Sequence, residues 1–341
     1  MNPATSVAVP STFSRDVLPP AAERVDVSVL VPAKDEAPNL PLFMELAAET
    51  FAGCAERYEV IVIDDGSSDR TWEVLTELAE RYPFLRPVRH RSQRGIADAL
   101  RTGYLSARGD VLVFYPADLQ FKPVDIPRLV APILAGDSDM VTGFKQGKYE
   151  KAFVSRIYNT LSRTLFHVPV KDLNSVKAYR REIMDVLPVR PDWHRYMIVI
   201  AHAEGFSVSE IPVPLYPRHA GRSKFGIGRI PVGVLDMLSV WFELRFGRKP
   251  LLLFGMLGAA LFIIGVGVGI GAVLWRIFAG EGFRPLLNFV ETCVIVGSVL
   301  FVGGFLGEMI AVQRAEMREL RRLVLDEARL GTGERVPSRD E

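Results

Sequence analysis

Short apolar runs alternate with helical patterns through the first half of the chain. Residues 27–31, 60–63 and 111–115 are rich in Val, Ile and Leu and show no regular polar alternation. This pattern is typical of strands covered on both faces of a parallel sheet. Helical patterns lie between them, at residues 40–51 and 95–106. The alternation predicts an α/β domain with a mainly parallel sheet. Further elements are predicted at residues 85–89, 153–166 and 207–214.

Polar side chains follow two of these apolar strands. Asp64 and Asp65 end the run at residues 60–63, and Asp118 follows the run at residues 111–115. Open α/β sheets bind ligands at the carboxyl ends of their strands, so we expect these carboxylates at one edge. Mg²⁺ takes one or two protein carboxylates and completes its shell with phosphate oxygens and water. The pattern predicts a divalent cation near Asp118, with an oxygen or a hydrogen bond from Gln120.

A cationic cluster lies later in the chain, around Gly221. Its members are Arg218, His219, Arg222 and Lys224, with Lys145, Arg156 and Arg163 as earlier candidates. Arginine and lysine hold phosphate groups well, and interleaved glycine and serine suit an anion-binding loop. The alternative interpretation is that these charges attract anionic lipid.

Two long apolar stretches dominate the last third. Residues 251–275 contain no charged residue, and residues 285–312 carry acidic residues only toward their ends. Each can cross a hydrocarbon layer of roughly 30 Å as a helix. The link between them is short, which predicts a hairpin, and flanking arginines place both flanks in the cytoplasm. The glycine pairs Gly265 with Gly269 and Gly303 with Gly307 allow close contact within the hairpin or between protomers.

Two further segments complete the outline. Residues 230–246 predict an amphipathic helix lying on the membrane surface, with a core helix of the globular domain as the alternative. Residues 1–24 are rich in Pro, Ser and Ala and lack the apolar core of a signal peptide, so we expect a disordered leader and a cytoplasmic body.

Composition excludes several classes of protein. The formal net charge is +1, which provides no general field for nucleic acid. The two cysteines have no disulfide or metal-ligand spacing. No GxGxxG follows the first strand, which disfavours a dinucleotide site. The hydrophobic content of 49% instead agrees with a protein that contacts lipid.

Four motifs in order carry a resemblance. They are PAKDE at 32–36, DDGSSDRT at 64–71, PADLQ at 116–120 and RHAGRSKFG at 218–226. Followed by a membrane hairpin, they resemble family-2 glycosyltransferases that charge polyprenyl phosphate, the group of dolichol-phosphate mannose synthase and its bacterial undecaprenyl-phosphate relatives. The resemblance implies a Rossmann-like GT-A fold, a UDP- or GDP-linked sugar donor, an undecaprenyl or dolichyl phosphate acceptor, Mg²⁺ or Mn²⁺, and inversion at the anomeric carbon.

The resemblance also implies roles for individual residues. The nucleotide sugar would be held by Pro32, Lys34, Glu36, Asp64, Asp65 and Gln120. The metal would be held by Asp118 and Gln120. The catalytic groups would be Asp118, Arg218 and Lys224. The acceptor phosphate would be held by Lys145, Arg156, Arg222 and Ser223.

Two departures from the family pattern stand out. Pro116 replaces the first aspartate of DADLQ, which removes one metal ligand. The loop that often reads PxYNE has lysine and aspartate before Glu36, so an aromatic residue that could stack on the base is missing. These changes could weaken metal binding, alter nucleotide choice or mark an inactive relative.

The predicted organisation has five parts: a leader at 1–24, a GT-A domain at 25–226, an interfacial segment at 227–249, two transmembrane helices at 250–313 and a cytoplasmic charged tail at 314–341. We predict a multi-pass protein of the inner (plasma) membrane. Its expected function is sugar transfer to polyprenyl phosphate at the cytoplasmic face. The alternatives are a membrane-anchored nucleotide-sugar binder without turnover, and transfer to a hydroxyl acceptor with Asp172 as base.

Overall fold

The computed structural model describes residues 25–146, 152–187, 193–220, 230–247, 249–279 and 284–331. The chain divides into two compact units, Met1–Ser223 and Lys224–Glu341. The first contains a sheet covered by helices, and the second is helical.

The strands of the first unit are β1 (Val27–Ala33), β2 (Tyr58–Asp64), β3 (Leu85–Arg89), β4 (Val111–Phe114), β5 (Met140–Gln146), β6 (Lys177–Arg180) and β7 (Val208–Pro214). Its helices are α1 (Leu40–Phe51), α2 (Thr71–Arg81), α3 (Ile96–Ser106), α4 (Ile126–Leu134), α5 (Ala152–Phe166), α6 (Ile183–Val186) and α7 (Met197–Ala203). The predicted α/β alternation is confirmed.

The seven strands form one mixed sheet in the order β3-β2-β1-β4-β6-β5-β7. Neighbours pair in parallel, except that β6 is antiparallel to both β4 and β5. The mainly parallel sheet is therefore confirmed. The sequence did not reveal β6, because its four residues include a lysine and an arginine and form no apolar run.

Apolar residues of the central strands are buried on both faces of the sheet. All seven residues of β2 are buried, as the lack of polar alternation predicts. On α1 the buried residues are Leu40, Phe43, Met44 and Ala47, which form one helical stripe. Each fully buried side chain of this kind contributes about 1.5–3 kcal/mol. This core fixes the carboxyl edge of the sheet, where the candidate site lies.

The amino end of the sheet contains a buried carboxylate, Glu59. Its Oε1 accepts hydrogen bonds from Ser28 Oγ at 2.6 Å and from the backbone N–H of Arg108 at 2.7 Å. Its Oε2 lies 3.0 Å from guanidinium nitrogens of Arg86 and Arg108. Burial alone would raise the pKa of Glu59, but these hydrogen bonds and charges hold it below its usual value. The carboxylate links β1 and β2 to the segment before β4.

The second unit consists of α8 (Ile230–Phe246), a π-helical turn (Leu251–Gly255), α9 (Met256–Ala279) and α10 (Arg284–Gly331). Two stretches are long and apolar enough to cross a membrane, Leu251–Ala279 and Arg284–Met317, with mean hydropathies of 2.5 and 2.1. The two long apolar helices pack together as a hairpin, as predicted. On α8, Val234, Leu235 and Leu238 are exposed.

Glycines let the two long helices approach closely. A Cβ on Gly258 would lie 2.5 Å from the nitrogen of Phe301, and one on Gly304 would lie 2.7 Å from the nitrogen of Gly255. The expected role of Gly303 in helix contact within the hairpin is wrong, because a Cβ there would meet no atom within 4 Å. The contact falls one residue later, since the helix turns about 100° per residue.

Polar contacts also join α10 to the start of the first apolar stretch and to α8. Glu308 Oε2 on α10 accepts a hydrogen bond from the N–H of Leu251 at 3.2 Å. Arg314 on α10 lies 3.2 Å from Glu243 on α8. Glu308 and Glu243 therefore both have partners within the second unit.

Candidate functional site

Asp118, Gln120 and Arg218 meet beyond the carboxyl end of β4. Arg218 Nη2 lies 2.9 Å from Asp118 Oδ2 and 3.2 Å from Gln120 Oε1. Asp118 Oδ1 accepts the backbone N–H of Gln120 at 3.1 Å. Leu119 between them has φ +59°, a left-handed conformation that few L residues adopt. The turn brings an acidic and an amide oxygen to one nitrogen of Arg218.

The segment around Arg218 is anchored through its backbone. The N–H of Tyr216 donates to the carbonyl of Gln120 at 2.9 Å, and that of His219 donates to the carbonyl of Asp118 at 3.4 Å. Burial raises the pKa of Asp118, and the charge of Arg218 opposes that rise. The carboxylate is thus a partly desolvated anion with one guanidinium partner among the described residues.

The loops after β1 and β2 are bound together by hydrogen bonds. Lys34 Nζ donates to the carbonyl of Gly66 at 2.7 Å, and the N–H of Asp35 donates to Ser67 Oγ at 2.9 Å. In return, Asp35 Oδ1 accepts the N–H of Ser68 at 2.8 Å. The predicted nucleotide residues of these two loops therefore lie side by side.

Other predicted nucleotide residues lie in the same region. The N–H of Glu36 donates to Thr71 Oγ1 at 2.9 Å. Pro32 is in β1, where it pairs with Ile63. Asp69 Oδ1 accepts the N–H of Thr71, the first residue of α2. These contacts fix the loops against the start of α2.

Asp64 and Asp65 are buried and have partners inside the protein. Asp64 Oδ1 accepts the N–H of Ser67 at 2.8 Å. Asp65 contacts His90 Nδ1 at 2.8 Å and accepts the N–H groups of Arg94 and Gly95, each at 2.8 Å. Burial alone would raise the pKa of Asp65, but these hydrogen bonds lower it. His90 was missed by sequence reasoning, because a lone histidine after a strand carries no motif.

A cavity of about 450 Å³ opens between the segments that follow β2 and β3, within the range of small-molecule sites. It is lined by Gly66, Ser67, Arg89, His90 and Arg91. Arg89 Nε lies 3.2 Å from Asp64 Oδ2, so its charge is already paired inside the protein, and Arg91 adds a second guanidinium to the cavity wall.

A second cationic group surrounds Asp172. Lys145 Nζ lies 3.3 Å from Asp172 Oδ2 and donates to the carbonyl of Asn174 at 2.7 Å. Lys177 is fully buried and donates to the carbonyl of Ser175 at 2.9 Å. Burial lowers the pKa of Lys177 to about 8, while Asp172 opposes that change and Lys145 adds to it. Lys177 carried no signal beyond its place after a polar turn.

Some predicted residues lie outside the described part of the chain. The structure does not describe Arg222, Ser223 and Lys224, so it assigns them no contacts. Arg156 lies on α5, but its side chain is also outside the description. The described residues bring together Asp118, Gln120 and Arg218, and separately Lys145 with Asp172.

The donor set agrees with a divalent cation. Among the described residues, no three His, Cys, Asp or Glu side chains are placed to share a metal. However, Asp118 Oδ2 and Gln120 Oε1 already converge on one positively charged atom, Arg218 Nη2. One carboxylate with a neutral oxygen suffices for Mg²⁺ when a diphosphate supplies further ligands. The residues present therefore fit the ion, provided that Arg218 moves.

Comparison with known proteins finds a family model and full-length relatives that are similar to this chain. The model of the family described as glycosyl transferase family 2 matches residues 28–184. Dodecaprenyl-phosphate galacturonate synthase of Rhizobium johnstonii is 29% identical over 307 residues, which cover 85% of this chain and 88% of that protein. Undecaprenyl-phosphate 4-deoxy-4-formamido-L-arabinose transferase of Pseudomonas savastanoi pv. phaseolicola is 28% identical over 312 residues, with coverages of 88% and 90%.

Solved structures support the fold. Glucosyl-3-phosphoglycerate synthase from Mycobacterium tuberculosis, solved with Mn²⁺, uridine diphosphate and phosphoglyceric acid, has a TM-score of 0.53 at 21% identity. The match covers 64% of this chain and 78% of that chain. The same enzyme with Mg²⁺ and uridine diphosphate gives a TM-score of 0.52 at 20% identity. At these identities the likeness establishes the GT-A fold and nothing finer.

Proposed function

We propose that this chain, a glycosyltransferase with a family 2 domain at residues 28–184, transfers a sugar from a nucleotide diphosphate sugar to polyprenyl phosphate. The donor is UDP- or GDP-linked, and the product is a polyprenyl-phosphate sugar. The reaction takes place at the cytoplasmic face of the membrane.

The observation that carries this proposal is the extent of the similarity. The first compact unit ends at Ser223, yet the relatives align over 85–88% of the chain. The alignments therefore reach into the unit with the two long apolar helices. Relatives named for a polyprenyl-phosphate acceptor thus match both the family 2 domain and the part suited to meet a lipid.

The loops after β1 and β2 form the nucleotide end of the proposed site. We assign nucleotide contacts to Pro32, Lys34, Glu36, Asp64 and Asp65, the last two of which directly precede Gly66, a residue that lines the cavity. Since Asp65 already holds three hydrogen-bond donors, its role would be to fix the loop at Gly95 as well as to face the ribose or base.

The diphosphate would lie at Asp118, Gln120 and Arg218. Arg218 supplies a guanidinium suited to phosphate oxygens. Asp118 and Gln120 would hold Mg²⁺ or Mn²⁺, which when bound adds positive charge at the leaving diphosphate. Lys145, Arg156, Arg222, Ser223 and Lys224 are proposed to hold the phosphate groups of acceptor and donor.

The transfer would be a single displacement. An oxygen of the lipid phosphate attacks the anomeric carbon, and the bond from that carbon to the diphosphate oxygen breaks. The nucleotide diphosphate leaves with the bonding electrons, so the anomeric centre is inverted. The phosphate is already anionic at neutral pH and needs no general base. Arg218 is placed to stabilise the developing negative charge.

The second unit supports a placement in the membrane. Leu251–Ala279 and Arg284–Met317 would span the inner membrane, with both chain ends in the cytoplasm. The exposed Leu235 and Leu238 of α8 would lie in the lipid headgroup region. The acceptor phosphate could then reach the domain while its chain stays in lipid. A homo-oligomer through helix glycines is compatible with this arrangement.

The test is transfer by the purified full chain in detergent. A panel of UDP and GDP sugars is offered with undecaprenyl phosphate, with Mg²⁺, with Mn²⁺ or with EDTA, and lipid products are identified by mass spectrometry. We expect one donor class to give a polyprenyl-phosphate sugar. Turnover only with a hydroxyl acceptor would favour the alternative reaction. Nucleotide binding without any product would overturn the proposal.

The hydroxyl-acceptor alternative requires a free general base. Asp172, its best candidate, has Lys145 at 3.3 Å on one oxygen and the N–H of Asn174 at 3.0 Å on the other. Both oxygens of Asp172 are therefore already engaged by donors within the protein. This geometry favours the phosphate acceptor.

A further inference from the structure

Arg218 occupies the position at which a divalent cation would sit. Its Nη2 atom contacts both predicted metal ligands, Asp118 Oδ2 at 2.9 Å and Gln120 Oε1 at 3.2 Å. A divalent ion bound by these two oxygens would compete with the guanidinium for the same space and the same lone pairs. Arginine and metal therefore cannot both keep full contact with Asp118.

Burial explains why the carboxylate needs one cation or the other. The side chain of Asp118 is 11% exposed and that of Arg218 is 26% exposed, so the arginine partly covers the carboxylate. A buried carboxylate without a partner is costly, and removal of a buried counter-ion destabilises a protein strongly. The charge on Asp118 must be compensated both before and after the donor binds.

The backbone around Arg218 permits its side chain to move. Tyr216 and His219 tie the chain on either side of Arg218 to the carbonyl groups of Gln120 and Asp118. These hydrogen bonds do not involve the guanidinium. The side chain can leave the carboxylate while the loop keeps its place.

We propose that Arg218 is an exchangeable counter-ion. In the nucleotide-free protein it neutralises Asp118 and holds Gln120. When a nucleotide diphosphate binds, the guanidinium moves onto phosphate oxygens, and a divalent ion takes its place on Asp118 and Gln120. Metal and nucleotide binding are therefore coupled: each is weak alone and strengthens the other. This inference rests on the proposed function and assigns Arg218 a role before the reaction begins.

The loss of the first family aspartate at Pro116 gives the exchange its significance. With a second carboxylate, the site would keep metal affinity without nucleotide. With Asp118 alone, one arginine balances the negative charge fully. The described residues thus favour a site that is closed to metal until a diphosphate arrives.

The experiment measures Mn²⁺ binding to the purified full chain by electron paramagnetic resonance, with no nucleotide, with UDP and with GDP. For the unaltered protein we expect at least one nucleotide to tighten Mn²⁺ binding tenfold or more. Arg218→Gln removes the competing charge, so it should bind Mn²⁺ about tenfold more tightly than the unaltered protein when no nucleotide is present. In Arg218→Gln, the factor by which nucleotide tightens Mn²⁺ binding should therefore be smaller than in the unaltered protein.

Two variants serve as controls. Lys122→Gln removes one positive charge nearby, from a side chain that lies over the ring of Tyr216, 4.4 Å from its centroid. It should leave Mn²⁺ affinity within about threefold of the unaltered value. Arg218→Lys keeps the charge and should retain weak nucleotide-free Mn²⁺ binding, so tenfold tighter binding in Arg218→Lys would also contradict competition by charge.

Several outcomes would overturn the inference. They are an unchanged or weaker nucleotide-free Mn²⁺ affinity in Arg218→Gln, equal effects of Arg218→Gln and Lys122→Gln, and no Mn²⁺ binding under any condition. If coupling is found but no donor gives a lipid product, the proposed function fails and the exchange stands. If a lipid product forms but nucleotide does not tighten Mn²⁺ binding, the exchange fails and the proposed function stands.

Discussion

Two buried carboxylates lie at opposite ends of the same sheet, each paired with arginine. Glu59 at the amino end accepts from Ser28, Arg86 and Arg108, including a backbone N–H, and its pKa is lowered. Among the residues that the structure describes, Asp118 at the carboxyl end has one arginine partner, and burial raises its pKa.

The difference separates a carboxylate held by the fold from one that we propose has a functional role. Glu59 is more stable as an anion in the folded protein than in water, so its contacts stabilise the fold. Asp118 is less stable as an anion than in water and gains from an additional cation. An arginine pair alone does not distinguish the two, but the number of hydrogen bonds to the carboxylate does.

The largest expected effect tests the functional end. Asp118→Asn should lower the turnover of sugar transfer by 10²–10³-fold, about 3–4 kcal/mol, because the negative charge at the proposed diphosphate site is lost. The measurement is the initial rate of lipid product formation. Asp125→Asn is the control, since Asp125 is also buried and paired with an arginine, Arg128 at 2.6 Å. Loss of less than tenfold in Asp118→Asn would contradict the assignment.

The next effect tests the structural end. Glu59→Gln should destabilise the domain by about 2–3 kcal/mol, because charge-assisted hydrogen bonds are lost from a buried group. The midpoint temperature of thermal unfolding, measured in detergent, should fall by about 5–10 °C. The rate per folded molecule should stay unchanged, and the exposed Glu80→Gln should change neither value. A loss of turnover without a change in unfolding temperature would reverse the roles of the two ends.

Glycines at the two ends offer a smaller, matched pair. A Cβ on Gly66 would lie 2.7 Å from the nitrogen of Gln93, and one on Gly109 would lie 2.7 Å from the nitrogen of Ser28. Each alanine variant should cost about 1–3 kcal/mol through overpacking. Only Gly66→Ala should also weaken UDP or GDP binding, measured by calorimetry.

Gly136→Ala is the control for that pair. Gly66 and Gly136 both have positive φ, +67° and +82°, but a Cβ on Gly136 would meet nothing within 4 Å. Gly136→Ala therefore reports the backbone strain alone. Equal nucleotide affinities in Gly66→Ala and Gly109→Ala would count against a nucleotide site at the carboxyl edge.

The smallest effect is a pH dependence with opposite signs at the two ends. Because the folded pKa of Glu59 is lowered, its stabilisation is present above the unfolded value of about 4.3 and is lost as pH falls through the folded pKa. The stability difference between the unaltered protein and Glu59→Gln should therefore shrink below about pH 4.3 by about 1 kcal/mol per pH unit.

Asp118 should behave in the opposite way in EDTA. Its folded pKa is raised, so the folded protein binds the proton more tightly than the unfolded chain. The unaltered protein should gain stability relative to Asp118→Asn as pH falls toward about 3.9. Thermal unfolding across pH 3–7 measures both trends, and parallel trends would remove the distinction between the two carboxylates.

Local pattern predicted most of the fold. The strands β1, β2 and β4 follow from apolar runs, and α1 and α3 from helical periodicity, because burial on a core is recorded in consecutive residues. β6 was not predictable in this way. Its Lys177 is buried through a contact with the carbonyl of Ser175, and no local rule predicts that a lysine enters a core.

The site was predictable to a lesser extent. Asp118 and Gln120 could be located because they follow a predicted strand within a few residues. The contact of Gln120 with Arg218 spans 98 residues, so only the resemblance suggested that the two share a site. The competition between Arg218 and a metal depends on distances of about 3 Å that spacing does not contain.

The position of the sheet within the chain affects how the protein is made. Its last strand, β7, ends at Pro214, and the first membrane-length stretch begins at Leu251. Amino-terminal domains generally fold first during synthesis. All seven strands therefore leave the ribosome before the first apolar helix does. The sheet can close in water while the hairpin is still being synthesised, so its exposed edges and the lipid-seeking helices need not compete during folding.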